Sequence, residues 1–320
     1  MQTTTLGSSG TRERHPDTWV FFNGELLRYH DVRIPPMTHA LHYGTGCFEG
    51  IRAYWNPDHS QLYLLHPAIH FERLRKSGRV LRMELPYETP QLVEWTLEIL
   101  RRNEFKTDVY VRPLLYASSE EIGVRLHDVE VSFLIYAAPM GEYIAVDNGI
   151  RCMTSTWQRI SDLAIPARAK VTGSYVNSAL AKSEALEAGF DEAIMLTASG
   201  HVSEGSAENL FILKNDVFVT PPVTDDVLEG ITRELLITLI RDELHVPVVE
   251  RSIDRTELYT CDELFLCGTG AQVSPVVEVD RRKVGPGIVG PRSRVLQELY
   301  FRAARGENPR YQDWSIPVYG

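Results

Sequence analysis

Hydrophobic and polar positions along the chain follow two periods that alternate in blocks. Trp19-Val-Phe-Phe and Glu25-Leu-Leu flank Asn23-Gly24. Asn-Gly accepts the positive φ angles of a two-residue turn, so this stretch predicts a β-hairpin. Residues 61–65 read as a short strand. Residues 67–79 have helical spacing, with Ile69, Leu74 and Val80 expected inward and Arg73, Arg75, Lys76 and Arg79 outside or at a ligand. Residues 90–103 predict a second helix with Leu92, Trp95, Leu97 and Leu100 on its apolar side and a proline in its first turn. Strands are expected at 109–116 and 129–138, which makes the first half α+β.

The pattern breaks at Ala138-Pro-Met-Gly-Glu-Tyr143, where an interdomain loop is expected. A strand at 150–156 and an irregular stretch to 172 follow. A helix is expected at 175–188, stopped by Gly189, with Val176, Ala179, Leu180 and Leu186 at helical spacing. Strands are expected at 192–197, 209–214 and 217–220. A helix at 232–244 presents Leu235, Leu236, Leu239, Ile240 and Leu244 on one face. A strand at 263–267 runs into Gly268-Thr-Gly-Ala, and a last helix begins near Pro291. The expected organisation is a flexible tail (1–18), a small α/β domain (19–138), an interdomain loop (139–147) and a larger domain (148–320).

Composition narrows the function classes. The 320 residues carry 33 Lys plus Arg against 43 Asp plus Glu, a formal charge of −10. A general nucleic-acid binder needs a basic footprint, so none is expected. No apolar run approaches the roughly 18 residues of a membrane helix; the longest, 133–140, is strand length. The N-terminal MQTTTLGSSGTRER has only Met1 and Leu6 as apolar anchors and reads as a tail. Cys47, Cys152, Cys261 and Cys267 lack zinc or C-x-x-C spacing. Reduced thiols, a cytoplasmic location and no metal are therefore expected.

Lysine is scarce: six against 27 arginines. Five lie in charged or turn contexts, whereas Lys170 sits in Ile165-Pro-Ala-Arg-Ala-Lys-Val-Thr-Gly among small and apolar residues. Such a setting lowers a lysine pKa and frees the amine as a nucleophile toward carbonyls, although a snorkelling loop lysine has the same context. Glu204, in Val202-Ser-Glu-Gly-Ser-Ala-Glu-Asn-Leu-Phe, is expected in a turn before a strand, as a capping carboxylate or as a carboxylate aimed into a pocket. A pyridoxal 5′-phosphate (PLP) enzyme needs this pairing. The lysine holds the cofactor aldehyde, and the acid keeps the pyridine nitrogen protonated.

Six segments in order, HALHYGTGCFEGIRAY, VYVRPLLY, IPARAKVTGSY, HVSEGSAENLF, LEGITRE and CGTGAQVSP, resemble the fold-type IV PLP aminotransferases and, within them, the branched-chain amino-acid aminotransferases. The resemblance runs from Trp19 to the last helix. It implies a two-domain α+β fold like that of D-amino-acid aminotransferase, with a small N-terminal α/β domain and a β-barrel-like C-terminal domain carrying helices. It also implies a homodimer or higher homo-oligomer acting on small amino acids and 2-oxo acids. By the same resemblance Lys170 is the Schiff-base lysine and proton shuttle, Glu204 the partner of the pyridine nitrogen, and Tyr175 the neighbour of the phenolic oxygen. Arg73, Ile231, Thr232 and Thr269 are implied at the phosphate. An uncapped helix start suits an anion on general grounds as well. Thr269 and Gly270 are implied at the substrate carboxylate. Tyr43, Phe48, Tyr110, Arg112 and Tyr143 are implied in the substrate pocket, with Tyr110 assisting the α-carboxylate and Arg112 and Tyr43 meeting the distal carboxylate of glutamate.

Three places depart from the pattern. Gly46-Cys47 is a small pair, which predicts a roomier pocket wall. Met140 stands where many relatives carry tryptophan. Arg125-Leu-His127 is similar to the Arg-x-His carboxylate trap of D-amino-acid relatives. The expected activity is transamination between L-leucine, L-isoleucine or L-valine and 2-oxoglutarate. A D-amino-acid, (R)-amine or mixed transaminase is the alternative within the fold, and a non-catalytic PLP-binding protein the alternative outside it.

Overall fold

The Asn23-Gly24 turn forms at positive φ, 47° and 98°, and joins strand β1 (Trp19–Phe22) to β2 (Glu25–Arg28). Its tip is tied down: Phe133 N donates to Asn23 Oδ1 (2.8 Å), and Asn23 Nδ2 donates to Ser132 Oγ (3.1 Å). The computed structural model describes residues 17–141 and 148–320. The tail through residue 16, most of the expected interdomain loop and Tyr143 lie outside the described residues.

Two sheets organise the chain. After the hairpin come a short helix α1 (His39–Tyr43), β3 (Gly46–Phe48), β4 (Ile51–Asn56), β5 (Gln61–Leu65), α2 (Pro67–Val80), α3 (Thr89–Asn103), β6 (Val109–Ala117) and β7 (Val131–Pro139). The second half holds β8 (Ile150–Thr154), α4 (Tyr175–Glu187), β9 (Glu192–Leu196), β10 (Val202–Gly205), β11 (Asn209–Lys214), β12 (Val217–Thr220) and α5 (Ile231–Leu239). β13 (Val248–Glu250), β14 (Glu263–Gly268), β15 (Gln272–Val279), β16 (Arg282–Lys283), α6 (Pro291–Ala304) and β17 (Ser315–Pro317) complete it. The first sheet is antiparallel, in the order β17-β5-β4-β6-β7-β1-β2, with β3 also on β6. The second is mixed, in the order β10-β9-β8-β15-β14-β11-β12-β13, and curls as an open half-barrel. The class is α+β.

Four expectations change. On α2, Leu74 is buried as expected, but Ile69 and Val80 are 49% and 45% exposed, and His70, Phe71, Ser77 and Gly78 turn inward. Polar and small residues share the inner face with Phe71 and Leu74 because they have buried partners there, His70 on Glu49, Ser77 on Lys170 N and Gly78 close against Leu115 and Met83, so apolar periodicity misplaced it. On α4, Val176, Leu180 and Leu186 are exposed, and the small residues Ala181 and Ala185 pack against Phe190, Ala193 and Met195. Glu204 lies on strand β10, not in a turn. Finally, the chain does not stay in its second half. β17 pairs with β5 of the first sheet, and Val318 joins the first core.

The fixed turn tip yields a stability prediction. Asn23→Ala loses two side-chain hydrogen bonds and places a Cβ residue poorly suited to left-handed φ, at a cost of about 1–2 kcal/mol. Asn23→Gly, which keeps the φ, is expected to unfold at lower denaturant than the parent but higher than Asn23→Ala. Equal midpoints for Asn23→Ala and the parent in urea melts contradict this.

Candidate active site

A cavity of about 650 Å³ opens where the two sheets meet, and the isolated lysine of the sequence stands in it. Lys170 lies outside regular structure, at the tip of a tight turn. Ala169 N donates to Pro166 O (3.1 Å), and Val171 N donates to Ala169 O (2.9 Å). Ala167 and Ala169 are buried, so small side chains let this turn sit inside the protein. The lysine backbone is satisfied from both sides: Lys170 N donates to Ser77 Oγ on α2 (3.1 Å), and Phe48 N donates to Lys170 O (3.1 Å). The ammonium Nζ donates to the hydroxyl of Tyr175, the first residue of α4, at 2.7 Å.

A second wall of the cavity holds Glu204, only 4% exposed. Arg159 Nη2 meets Glu204 Oε1 at 2.8 Å, while Asn209 Nδ2 and Leu228 N donate to Oε2 at 3.0 and 3.2 Å. Burial raises this carboxyl above its ordinary range, and the Arg159 guanidinium opposes the rise. Lys170 and Tyr175 therefore line the same space as a guanidinium-paired buried carboxylate.

A third wall is built for an anion. α5 begins at Ile231 and Thr232 with no side-chain cap on its first turn, leaving N–H groups and the positive end of the helix dipole toward the cavity. Gly230 sits so close to Asn209 that an added Cβ would lie 1.8 Å from its Oδ1, so only glycine fits. Arg73 on α2 reaches across to this point, and its Nη1 donates to Glu229 O at 2.7 Å. Its Nε and Nη2 form a fork on Glu49, at 2.7 and 2.8 Å. Burial alone would raise the Glu49 carboxyl, but Arg73 and His70 overcome that and hold it well below the usual range. Burial lowers His70. Thr269 and Gly270, in the turn after β14, line the same cavity.

The fourth wall is aromatic. Phe48 packs edge-on to Tyr175 (4.7 Å between centroids), and the Arg112 guanidinium lies 4.5 Å over the Phe48 ring. Arg112 Nη2 donates to Tyr110 Oη at 2.9 Å, while its buried Nε has no partner among the described residues. Met140 also lines this wall. Tyr43 does not; it is exposed, and its hydroxyl accepts from Gly123 N. Gly46 and Cys47 do not line the cavity either. Cys47 is wholly in the core and Gly46 lies against Thr172, so that pair gives no roomier wall. Arg125 lies outside the cavity and pairs with Glu121 on the surface (3.5 Å).

Sequence reasoning missed Glu49, His70, Arg159, Lys182 and Glu208. A carboxylate inside the apolar Cys47-Phe-Glu-Gly-Ile51 run was a readable signal, since a buried acid there requires a cation. Arg159 had no local signal. Lys182, expected in a charged surface context, lines the cavity, but its Nζ is 2.5 Å from Glu192 Oε2. Glu208, 4% exposed, lies nearby.

A lysine held by a tyrosine hydroxyl, a buried carboxylate paired to arginine and an uncapped helix start beside a second arginine define the site of a PLP-dependent enzyme. The donor set suits a phosphate at one wall and a protonated ring nitrogen at another. Residues 46–279 match the family model for class IV amino-transferases, and the chain belongs to that family. It is 50% identical to a probable branched-chain-amino-acid aminotransferase of Aquifex aeolicus over 94% of this chain and 97% of that one. A branched-chain aminotransferase of Thermoproteus uzoniensis, solved with norvaline, superposes with a TM-score of 0.90 at 40% identity, covering 94% of this chain and 99% of that one. The branched-chain amino acid aminotransferase of T.th., complexed with N-(5′-phosphopyridoxyl)-L-glutamate, gives 0.90 at 37% identity, covering 96% and 100%.

Glu208 generates a pH prediction. Burial first, and the Glu192 carboxylate second, push its carboxyl up to about 8. The folded protein then holds a proton that the unfolded chain releases near 4.5, so stability is lost as pH rises from about 4.5 to 8. Glu208→Gln should flatten this slope and raise the thermal midpoint at about pH 9 while changing little at about pH 5. Parallel midpoint-against-pH curves for parent and variant contradict it.

Proposed function

We propose that this chain transfers the amino group of L-leucine, L-isoleucine or L-valine to 2-oxoglutarate in two ping-pong half-reactions. The observation that carries the reading is the single cavity in which Lys170–Tyr175, Glu204–Arg159 and Arg112–Phe48 face one another. The names of the relatives, and the phosphopyridoxyl-glutamate and norvaline of the two solved structures, support the substrate class.

PLP, when bound, supplies an aldehyde for the amino group and a ring that accepts electrons from the substrate α-carbon. Lys170 Nζ holds a proton and moves it at that α-carbon. Tyr175 Oη, in hydrogen-bond contact with Nζ, fixes the direction of the amine. Arg159 opposes the rise that burial gives Glu204, and this carboxyl is placed to accept a ring N–H. Arg73, the Ile231 and Thr232 end of α5 and Thr269 would hold the phosphate. The Thr269-Gly270 turn and the Tyr110 hydroxyl would bind the α-carboxylate.

Phe48 and Met140 offer apolar surface to a branched side chain. Arg112, with an unpartnered buried Nε among the described residues, offers a charge to the distal carboxylate of glutamate. Stacked on Phe48, that guanidinium lets one wall take both kinds of side chain without stranding a charge. Tyr43 lies outside this cavity, so within one chain the distal contact falls to Arg112. No observation favours Arg125 as a carboxylate trap.

The enzyme works as a cytoplasmic homodimer in this reading. Among the described residues no helix is long and apolar enough to cross a membrane. The four cysteines are unpaired and buried, as in a reducing compartment. Leu41, Ile122, Val124, Leu163 and Val176 are 64–100% exposed, apolar surface that a second copy would cover.

Single-turnover rates with leucine, glutamate and D-alanine test the reading. Arg112→Ala should slow the glutamate half-reaction about 10- to 100-fold more than the leucine one, because only glutamate loses a charge-assisted pair. Arg125→Ala should leave both unchanged. A glutamate defect confined to Arg125→Ala, or D-alanine turning over faster than leucine, overturns the assignment.

A further inference from the structure

We propose that Glu49 is the positioning residue of the phosphate end of the cavity, acting through Arg73 without touching the ligand. The proposal rests on the PLP reading above. Glu49 occupies the turn between β3 and β4 and is fully buried. Its carboxylate accepts three N–H groups: Arg73 Nε at 2.7 Å, Arg73 Nη2 at 2.8 Å and His70 Nδ1 at 2.7 Å. Arg73 Nη1 donates to Glu229 O, one residue before Gly230, the N-cap of α5. Three of the five guanidinium N–H groups are thereby fixed. Two remain, one on each terminal nitrogen, beside the uncapped helix end.

The same turn also sets the lysine. Phe48 N holds Lys170 O, and Ser77, one turn beyond Arg73 on α2, takes Lys170 N. One buried carboxylate thus keeps the phosphate arginine in register with the reactive amine. A buried acid with fewer donors would cost stability, so its retention among three is a geometric device.

Hydrogen-bond chemistry gives the proposal a sign. Glutamine in place of Glu49 has one acceptor oxygen and an NH₂ group. With its oxygen on Arg73 Nε, the NH₂ faces Arg73 Nη2 and His70 Nδ1. His70 can change tautomer and accept, but Arg73 has no acceptor, so the fork breaks. If Glu49 were only a counter-charge near an anion site, its neutralisation would instead tighten anion binding by Coulomb's law.

The test is calorimetric titration of the full-length protein, stripped of cofactor, with PLP, inorganic phosphate and pyridoxal. Glu49→Gln should bind PLP and phosphate about 10- to 100-fold more weakly, as expected for losing one charge-assisted arm of the fork on Arg73, and pyridoxal within about twofold of the parent. Glu49→Asp, which keeps the charge on a shorter arm, should recover part of the loss. Unchanged or tighter phosphate binding in Glu49→Gln overturns the proposal, as does an equal loss for PLP and pyridoxal, which marks a merely structural role. Should Glu49→Gln fail to fold, Glu49→Asp decides. Its preference for PLP over pyridoxal must fall below the parent's, and an unchanged preference overturns the proposal. A parent that does not bind PLP is a separate result, which removes the cofactor reading itself.

Discussion

Neutralising buried carboxylates is the constraint on which the site depends. Glu49 is 0% and Glu204 4% exposed, and a bare carboxylate in either place would cost several kcal/mol. Each is matched by an arginine, Arg73 for the first and Arg159 for the second. Both arginines come from elements distant in sequence, α2 and the irregular stretch after β8. Each pair lies within its own half of the chain; Arg73 then reaches across to the second half through Nη1 on Glu229 O, beside the cavity that both halves line.

Within that frame the reactive lysine needs little of its own. Its backbone is satisfied by Ser77 and Phe48 and its amine by Tyr175. Lys182 shows the contrast. It reaches the same cavity, but a carboxylate already takes its charge. Two lysines in one pocket therefore differ in what they can do because of their neighbours, not their exposure. The anion wall follows the same economy: backbone N–H groups of an uncapped helix need no side chain to bind, only a glycine where Asn209 comes close.

Much of this was legible in the sequence where chemistry and local pattern coincide. Asn23-Gly24 encodes its own turn, and Lys170 stands out because arginine takes most other cationic positions. The β14 strand running into Gly268-Thr-Gly-Ala was readable from its apolar run and glycines. What was not legible depended on pairings across the fold. The inner face of α2 is written in His70, Ser77 and Gly78, which apolar periodicity passes over. Glu204 reads as a turn residue until β9 supplies a partner strand. β17 returns to the first sheet by pairing with β5, from the other half of the chain, which no local signal encodes. Tyr43 carries the right residue type, yet in one chain its hydroxyl turns to the Gly123 loop.

The central claim is that Lys170, and not Lys182, is the amine that meets the cofactor. Borohydride reduction of the PLP-loaded protein, followed by digestion and mass mapping, tests it directly. The phosphopyridoxyl group should appear on the peptide carrying Lys170, with Lys182 unmodified. A label on Lys182, or no covalent label on a protein that has bound PLP, contradicts the account.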